Sequence, residues 1–112
     1  MDKKKQSGVI IISTFPTEKS VRKLAKDLIV NKKICACVNY ARVQSLYYWK
    51  NKLEDHAEFL TLFKTTYQRS EELKSEIKKR HPYETPELVE LRMNDVSEPY
   101  LAWMTHSTNS VS

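Results

Sequence analysis

Two long extended segments meet at a two-residue turn, and this limits the fold more than any other part of the chain. Residues 34–49 and 52–66 both read as strands, with Lys50-Asn51 between them. Asn tolerates the left-handed backbone that a tight hairpin turn needs. In the second arm Phe59, Thr61 and Phe63 alternate with Leu60 and Leu62. In the first, Cys35, Cys37, Val43 and Trp49 share one parity, and Ile34, Ala36, Val38, Leu46 and Tyr48 the other. The alternation breaks over 39–44 (NYARVQ), which predicts a bulge or bend. The arms run to roughly 14–16 residues each, against about 5–6 for an ordinary strand. One small sheet cannot cover arms of that length. The excess is expected to pair elsewhere, and another subunit is the natural candidate.

The remaining segments surround this hairpin with α/β elements. Residues 8–14 (GVIIIST) are short, β-branched and nearly continuous, the pattern of a buried strand, and Phe15-Pro16 ends it. Thr17 is a candidate N-cap, and Val21, Leu24, Ala25, Leu28 and Ile29 make one apolar face of a helix over 17–31. Ser70 is the candidate cap of a second helix, with Glu71 and Glu72 in its first turn and Leu73 and Ile77 on one face. Pro82 disfavours helix at the residue before it, so this helix ends at Lys79-Arg80. A last strand is expected over 87–93, then a short helix capped by Ser97 or Glu98 with Pro99 in its first turn. Residues 1–7 and 106–112 read as loose tails around a single domain over 8–105. The order β-α-β-β-α-β plus a terminal helix predicts a ferredoxin-like α/β sandwich. Two helices cover one face of its sheet, and the other face again calls for oligomerisation.

Several function classes drop out. Gly8 is the only glycine, so neither a P-loop nor a GxGxxG dinucleotide loop is present. The longest early apolar run, Val9 to Ile12, falls far short of a membrane span or secretory core, which leans the expected location to the cytoplasm. The cysteines, Cys35 and Cys37, are too close for an unstrained bridge. On one strand their thiols would share a face, either as small core residues or as half of a soft-metal site. The net charge of +5 sits in Lys3–Lys5, Lys32-Lys33 and Lys78-Lys79-Arg80. The last two fall at helix C-termini, where cations suit the macrodipole. The basic residues are scattered and the aromatic strand pattern of RNA binders is absent, so no nucleic-acid partner is expected.

Three segments together carry a family resemblance: Ser45-Leu46-Tyr47-Tyr48-Trp49 with Lys52-Leu53-Glu54, Glu58 leading to Phe63-Lys64-Thr65, and the run His81-Pro82-Tyr83-Glu84-Thr85-Pro86-Glu87. With Ala36-Cys37-Val38-Asn39 and Tyr100…Trp103, the chain resembles the CutA family of divalent-cation tolerance proteins from about Val9 to Trp103. The resemblance implies a homotrimer of ferredoxin-like subunits whose long hairpins pair between subunits. It implies binding of divalent metals, copper foremost, without a requirement for metal in folding, and a link to metal tolerance. Eukaryotic relatives are associated with membrane or secretory partners, so an unidentified protein partner is a further candidate. No established reaction comes with it. Two departures stand out. Asn51 replaces the usual turn glycine, a swap the backbone tolerates. Ser13 stands where many bacterial members have a cysteine, and a hydroxyl is a poor copper ligand beside a thiolate.

The candidate site residues each have a plain and a chemical reading. His81 either anchors its loop by hydrogen bonds or ligates a metal. Glu58 lies beside an apolar run and needs a partner: an ion pair from a neighbouring strand or subunit, or a metal. Glu84, just before Pro86, is a better inward candidate than Glu87. Tyr83 either packs with its hydroxyl satisfied or lines a pocket at a subunit boundary. Trp49, Tyr47 and Tyr48 read first as interface packing and second as walls of a ligand cleft, with Lys64 on the same boundary. His56 is expected in solvent, and His106 carries no signal. No Ser/His/Asp spacing, HExxH or C-x-x-C is present, so no enzyme is expected. The main reading is thus a homotrimeric cation-tolerance protein with His81, Glu58 and Glu84 as metal candidates. The alternative is a trimeric small-ligand sensor or protein scaffold with no physiological metal.

Overall fold

The computed structural model describes residues 7–109. Four strands, β1 (Gly8–Phe15), β2 (Cys37–Trp49), β3 (Lys52–Thr66) and β4 (Val89–Arg92), form one antiparallel sheet in the order β2-β3-β1-β4. Helices α1 (Glu18–Lys26), α2 (Ser70–Arg80) and α3 (Glu98–Ser107) complete the chain. This is the ferredoxin-like sandwich that the element order implies. The Thr17 side chain accepts a hydrogen bond from Ser20 N–H and caps α1. The helix then widens into a π-helical turn, Asp27–Asn31, so the helical stretch ends where the apolar periodicity ends.

The core follows from strand parity. Val9, Ile11 and Phe15 of β1 and Phe63 of β3 point to the helical side and meet Val21, Leu24 and Leu28 of α1 and Leu73 and Ile77 of α2. Residues paired across strands share a face, which places Ile10, Ile12, Leu60, Leu62, Val89 and Leu91 together on the opposite side. One end of that side is covered by α3. A Cβ on Gly8 would lie 2.7 Å from Met104 Cε, so the helix packs closely over the single glycine. The rest stays open, with Leu60, Val89 and Leu91 36–48% exposed.

Four expectations need correction. The first hairpin arm starts at Cys37, not Ile34. Lys33 takes a left-handed φ of 54° and turns Ile34 and Cys35 into the core as loop. The two thiols therefore do not share a strand face. Cys35 is buried and bonds Cys37 O and Lys64 O, whereas Cys37 pairs with Lys64 toward the open side. No bulge interrupts β2, whose register with β3 is continuous from Cys37↔Lys64 to Trp49↔Lys52. The alternation fades over 39–44 because the hairpin leaves the helical layer just past Tyr40, which still bonds Glu18 and Arg22 of α1, so neither face is strongly buried beyond it. Ser70 opens α2 but is not its cap: its hydroxyl donates to Tyr67 O in a preceding 3₁₀ turn, Tyr67–Arg69. Finally, α3 includes His106 and Ser107, and the buried Thr108 hydroxyl donates to Met104 O, so order persists beyond the expected start of the C-terminal tail. The other tail expectations, for residues 1–6 and 110–112, lie outside the described residues.

Candidate functional site

Beyond the end of β1 the hairpin and the 81–87 loop enclose a cleft of about 850 Å³. Helix α2 stops at Arg80, and His81 is extended (φ −71°, ψ 137°), as a residue before proline must be. Its ring stacks on Phe15 with centroids 4.2 Å apart. Nε2 lies 2.8 Å from Thr14 O. A carbonyl only accepts, so Nε2 carries the hydrogen. Nδ1 is then the bare nitrogen and accepts from Tyr83 N–H at 3.0 Å. The Ser13 hydroxyl is also 3.1 Å from Nε2. Burial pushes the imidazole pKa down and favours this neutral form, against the opposing pull of the Thr14 carbonyl and Glu58.

The loop that His81 fixes carries Tyr83 to Glu58. The phenol donates to Glu58 Oε1 at 2.9 Å. Burial first, and the Glu58 carboxylate second, push the Tyr83 pKa far up, so the phenol keeps its proton. Glu58 itself is only 5% exposed. Nearby, the Tyr47 hydroxyl and His56 Nε2 are 2.8 Å apart, with the two rings edge to face. Desolvation, then Glu58 and Glu54, raise the Tyr47 pKa.

The structure gathers most of the sequence candidates and separates two. Glu58, Tyr83, Glu84, Tyr47 and Trp49 all line the cleft, and Glu87 lines it too. Glu84 and Glu87 both reach it because neither lies in a strand. Lys64 is not a cleft residue. It sits beside Ile10 and Cys37, six residues or roughly 20 Å along β3 from Glu58. Tyr48 is 71% exposed and has the opposite parity to Tyr47 and Trp49. Within this chain Glu58 takes its hydrogen bond from Tyr83 of the loop, and none of the ion pairs among the described residues includes it. His56, expected in solvent, is half-buried at the cleft wall with Nε2 against the Tyr47 hydroxyl. Sequence reasoning missed Ser13 and Thr14 as partners of His81. They are 68 and 67 residues away, and no spacing signals such a contact.

This geometry answers two chemical questions. Ser13 and His81 do not form a nucleophile–base pair. Ser13 is fully buried, and the nitrogen facing it already carries the proton and gives it to Thr14 O. Nor do His81, Glu58 and Glu84 form a closed metal site. Both ring nitrogens of His81 are engaged, Ser13 offers a hydroxyl, and among the described residues no three His, Cys, Asp or Glu side chains gather around a common point. The anchoring reading of His81 is the one the structure supports. The donors left facing the cleft are the carboxylates of Glu58, Glu84 and Glu87 and the His56 imidazole.

An antiparallel ferredoxin-like sheet with an overlong hairpin, an open apolar face and an acidic cleft beside a loop defines a class of small α/β domain with one sheet face uncovered by its own helices. The chain matches the family model described as CutA1 divalent ion tolerance protein over residues 9–107. It is 34% identical over 99 residues to the divalent-cation tolerance protein CutA of Thermotoga maritima, covering 88% of this chain and 97% of that protein. Among solved structures, CutA1 from Pyrococcus horikoshii superposes with a TM-score of 0.86 at 34% identity, over 91% of this chain and 99% of that one. CutA from Synechococcus elongatus gives 0.88 at 27%, over 93% and 92%. The chain belongs to the CutA1 divalent ion tolerance family.

Proposed function

We propose that this protein acts as a homotrimeric, non-enzymatic divalent-cation tolerance protein in the cytoplasm, with copper-type ions as ligands. The observation that carries the oligomer is the pair of unfinished surfaces. Ile10, Ile12, Leu60, Leu62, Val89 and Leu91 lie on an uncovered sheet face. The hairpin also carries Leu46, Tyr48 and Leu53 exposed by 62–71%. Surfaces of this kind on a small domain mark an interface. Two free thiols suit a reducing compartment.

The cation reading rests on family membership together with the cleft carboxylates. Glu58 and Glu84 are the candidate donors from this chain, and further donors would come from a second subunit. His81 acts by holding the loop, not as a ligand. Calorimetry with Cu(II) on chelator-stripped protein of verified mass tests this. Saturable binding at a fixed ratio per subunit, lost in Glu58→Gln and weakened but not lost in His81→Phe, is expected. Weak, unsaturable uptake shared by all three proteins would refute it. The cleft itself favours a second reading, a small-ligand site, because about 850 Å³ is far more space than a bare ion needs.

A further inference from the structure

We propose that the cleft between the hairpin and the 81–87 loop binds an organic ammonium ion with an apolar stem. This rests on the small-ligand reading of the cleft and does not depend on the metal reading. Glu58 carries the argument. It is a carboxylate only 5% exposed, yet no lysine, arginine or histidine among the described residues forms an ion pair with it. Its sole hydrogen bond from the described residues is the Tyr83 phenol on Oε1. Oε2 is left without such a donor on the wall of the cleft. A buried anion with half of its acceptors unused calls for a cation that can donate hydrogen bonds.

The rest of the wall decides which kind of cation. Glu84 and Glu87 add two carboxylates against the single Lys50, so the cleft is locally acidic in a chain of net charge +5. Tyr47, Trp49 and Tyr83 contribute aromatic surface. Aromatic faces attract ammonium groups, and the Lys50 ammonium already lies 5.9 Å from the Trp49 ring centroid. A hydrated metal ion uses neither the aromatic walls nor the volume. An alkylammonium uses both: its N–H groups meet Glu58 Oε2 and its carbon stem lies against the rings.

The probe is spermidine, titrated by calorimetry into the full-length protein at its native oligomeric mass, with 1-butanol as a neutral stem and Mg²⁺ as a control for simple charge. Trp103→Phe leaves Trp49 as the only tryptophan, so its fluorescence reports on the cleft. Saturable spermidine binding that quenches or shifts Trp49 is expected. It should weaken at least about tenfold in Glu58→Gln, the loss of one charge-assisted bond. The amide oxygen of that variant can still accept from Tyr83, so the fold is kept, and unchanged circular dichroism checks this. Trp49→Leu should also weaken binding without touching Glu58. Four results would overturn the proposal: no spermidine binding, equal binding by Glu58→Gln, equal binding of butanol, or a response reproduced by Mg²⁺. Cu(II) binding without spermidine binding would also overturn it while leaving the tolerance reading intact.

Discussion

Replacing His81 tests whether one ring holds the cleft together. The imidazole makes three polar contacts, to Thr14 O, Tyr83 N–H and the Ser13 hydroxyl, and stacks on Phe15. The Nε2–H, which faces both Thr14 O and Ser13 Oγ, counts as one hydrogen bond, and the Tyr83 N–H bond as a second; each contributes about 1 kcal/mol net, and the ring contact about another 1 kcal/mol. His81→Ala is therefore expected to cost about 3 kcal/mol on those values. His81→Phe, which keeps the stack, should cost about 2 kcal/mol. Urea unfolding at pH 8 and equal protein concentration reads both, because an oligomer's stability depends on concentration. The pH dependence adds a second test. The folded pKa of His81 lies below its unfolded value, so the unfolded chain binds the proton first. The neutral ring's contribution is full above the unfolded value near 6.5 and is lost as pH falls through the lower folded value. Protonation puts a hydrogen on Nδ1 facing Tyr83 N–H. The stability gap between wild type and His81→Phe should thus narrow on acidification. A His81→Phe protein as stable as wild type at pH 8, or a gap unchanged with pH, would refute the reasoning.

Four further outcomes are expected. The turn residues Lys50 and Asn51 have φ of 50° and 63°, so Lys50→Gly should stabilise by about 1 kcal/mol and Lys50→Val should destabilise, in the same urea assay. Burial holds the Cys35 thiol up at about 12, so native-state alkylation followed by peptide mapping should modify Cys37 and spare Cys35. Phe63→Ala, emptying a fully buried site, should cost about 3–5 kcal/mol. In a spectrophotometric titration Tyr83 should ionise last among the tyrosines, and Glu58→Gln should bring that step down.

What could be read in advance divides along physical lines. Helix periodicity, the Pro82 stop, the Thr17 cap and the hairpin turn are local, decided by a few neighbouring residues, and all four were legible in the chain. The HPYETPE run marked the loop whose Tyr83 meets Glu58 in the structure. Patterns weakened where burial is not local. The middle of β2 lost its alternation because past Tyr40, which bonds Glu18 and Arg22 of α1, neither face is strongly buried, and Cys35 left the strand because Lys33 turns the backbone left-handed. Ser70 looked like a cap, but its hydroxyl serves a tighter turn before the helix.

The order of elements, the length of the hairpin and the family could all be had from the residues in a row, because each rests on short-range spacing or a contiguous motif. The roles of the site residues could not, because they depend on segments that meet only after folding. Strand order β2-β3-β1-β4 puts the end of β1 beside the loop that follows α2. There Thr14 and Tyr83 take both nitrogens of His81, and Tyr83 in turn reaches Glu58. A histidine is a ligand or an anchor according to where its lone pair points, and that is set by partners 67 residues away and by Tyr83's own backbone.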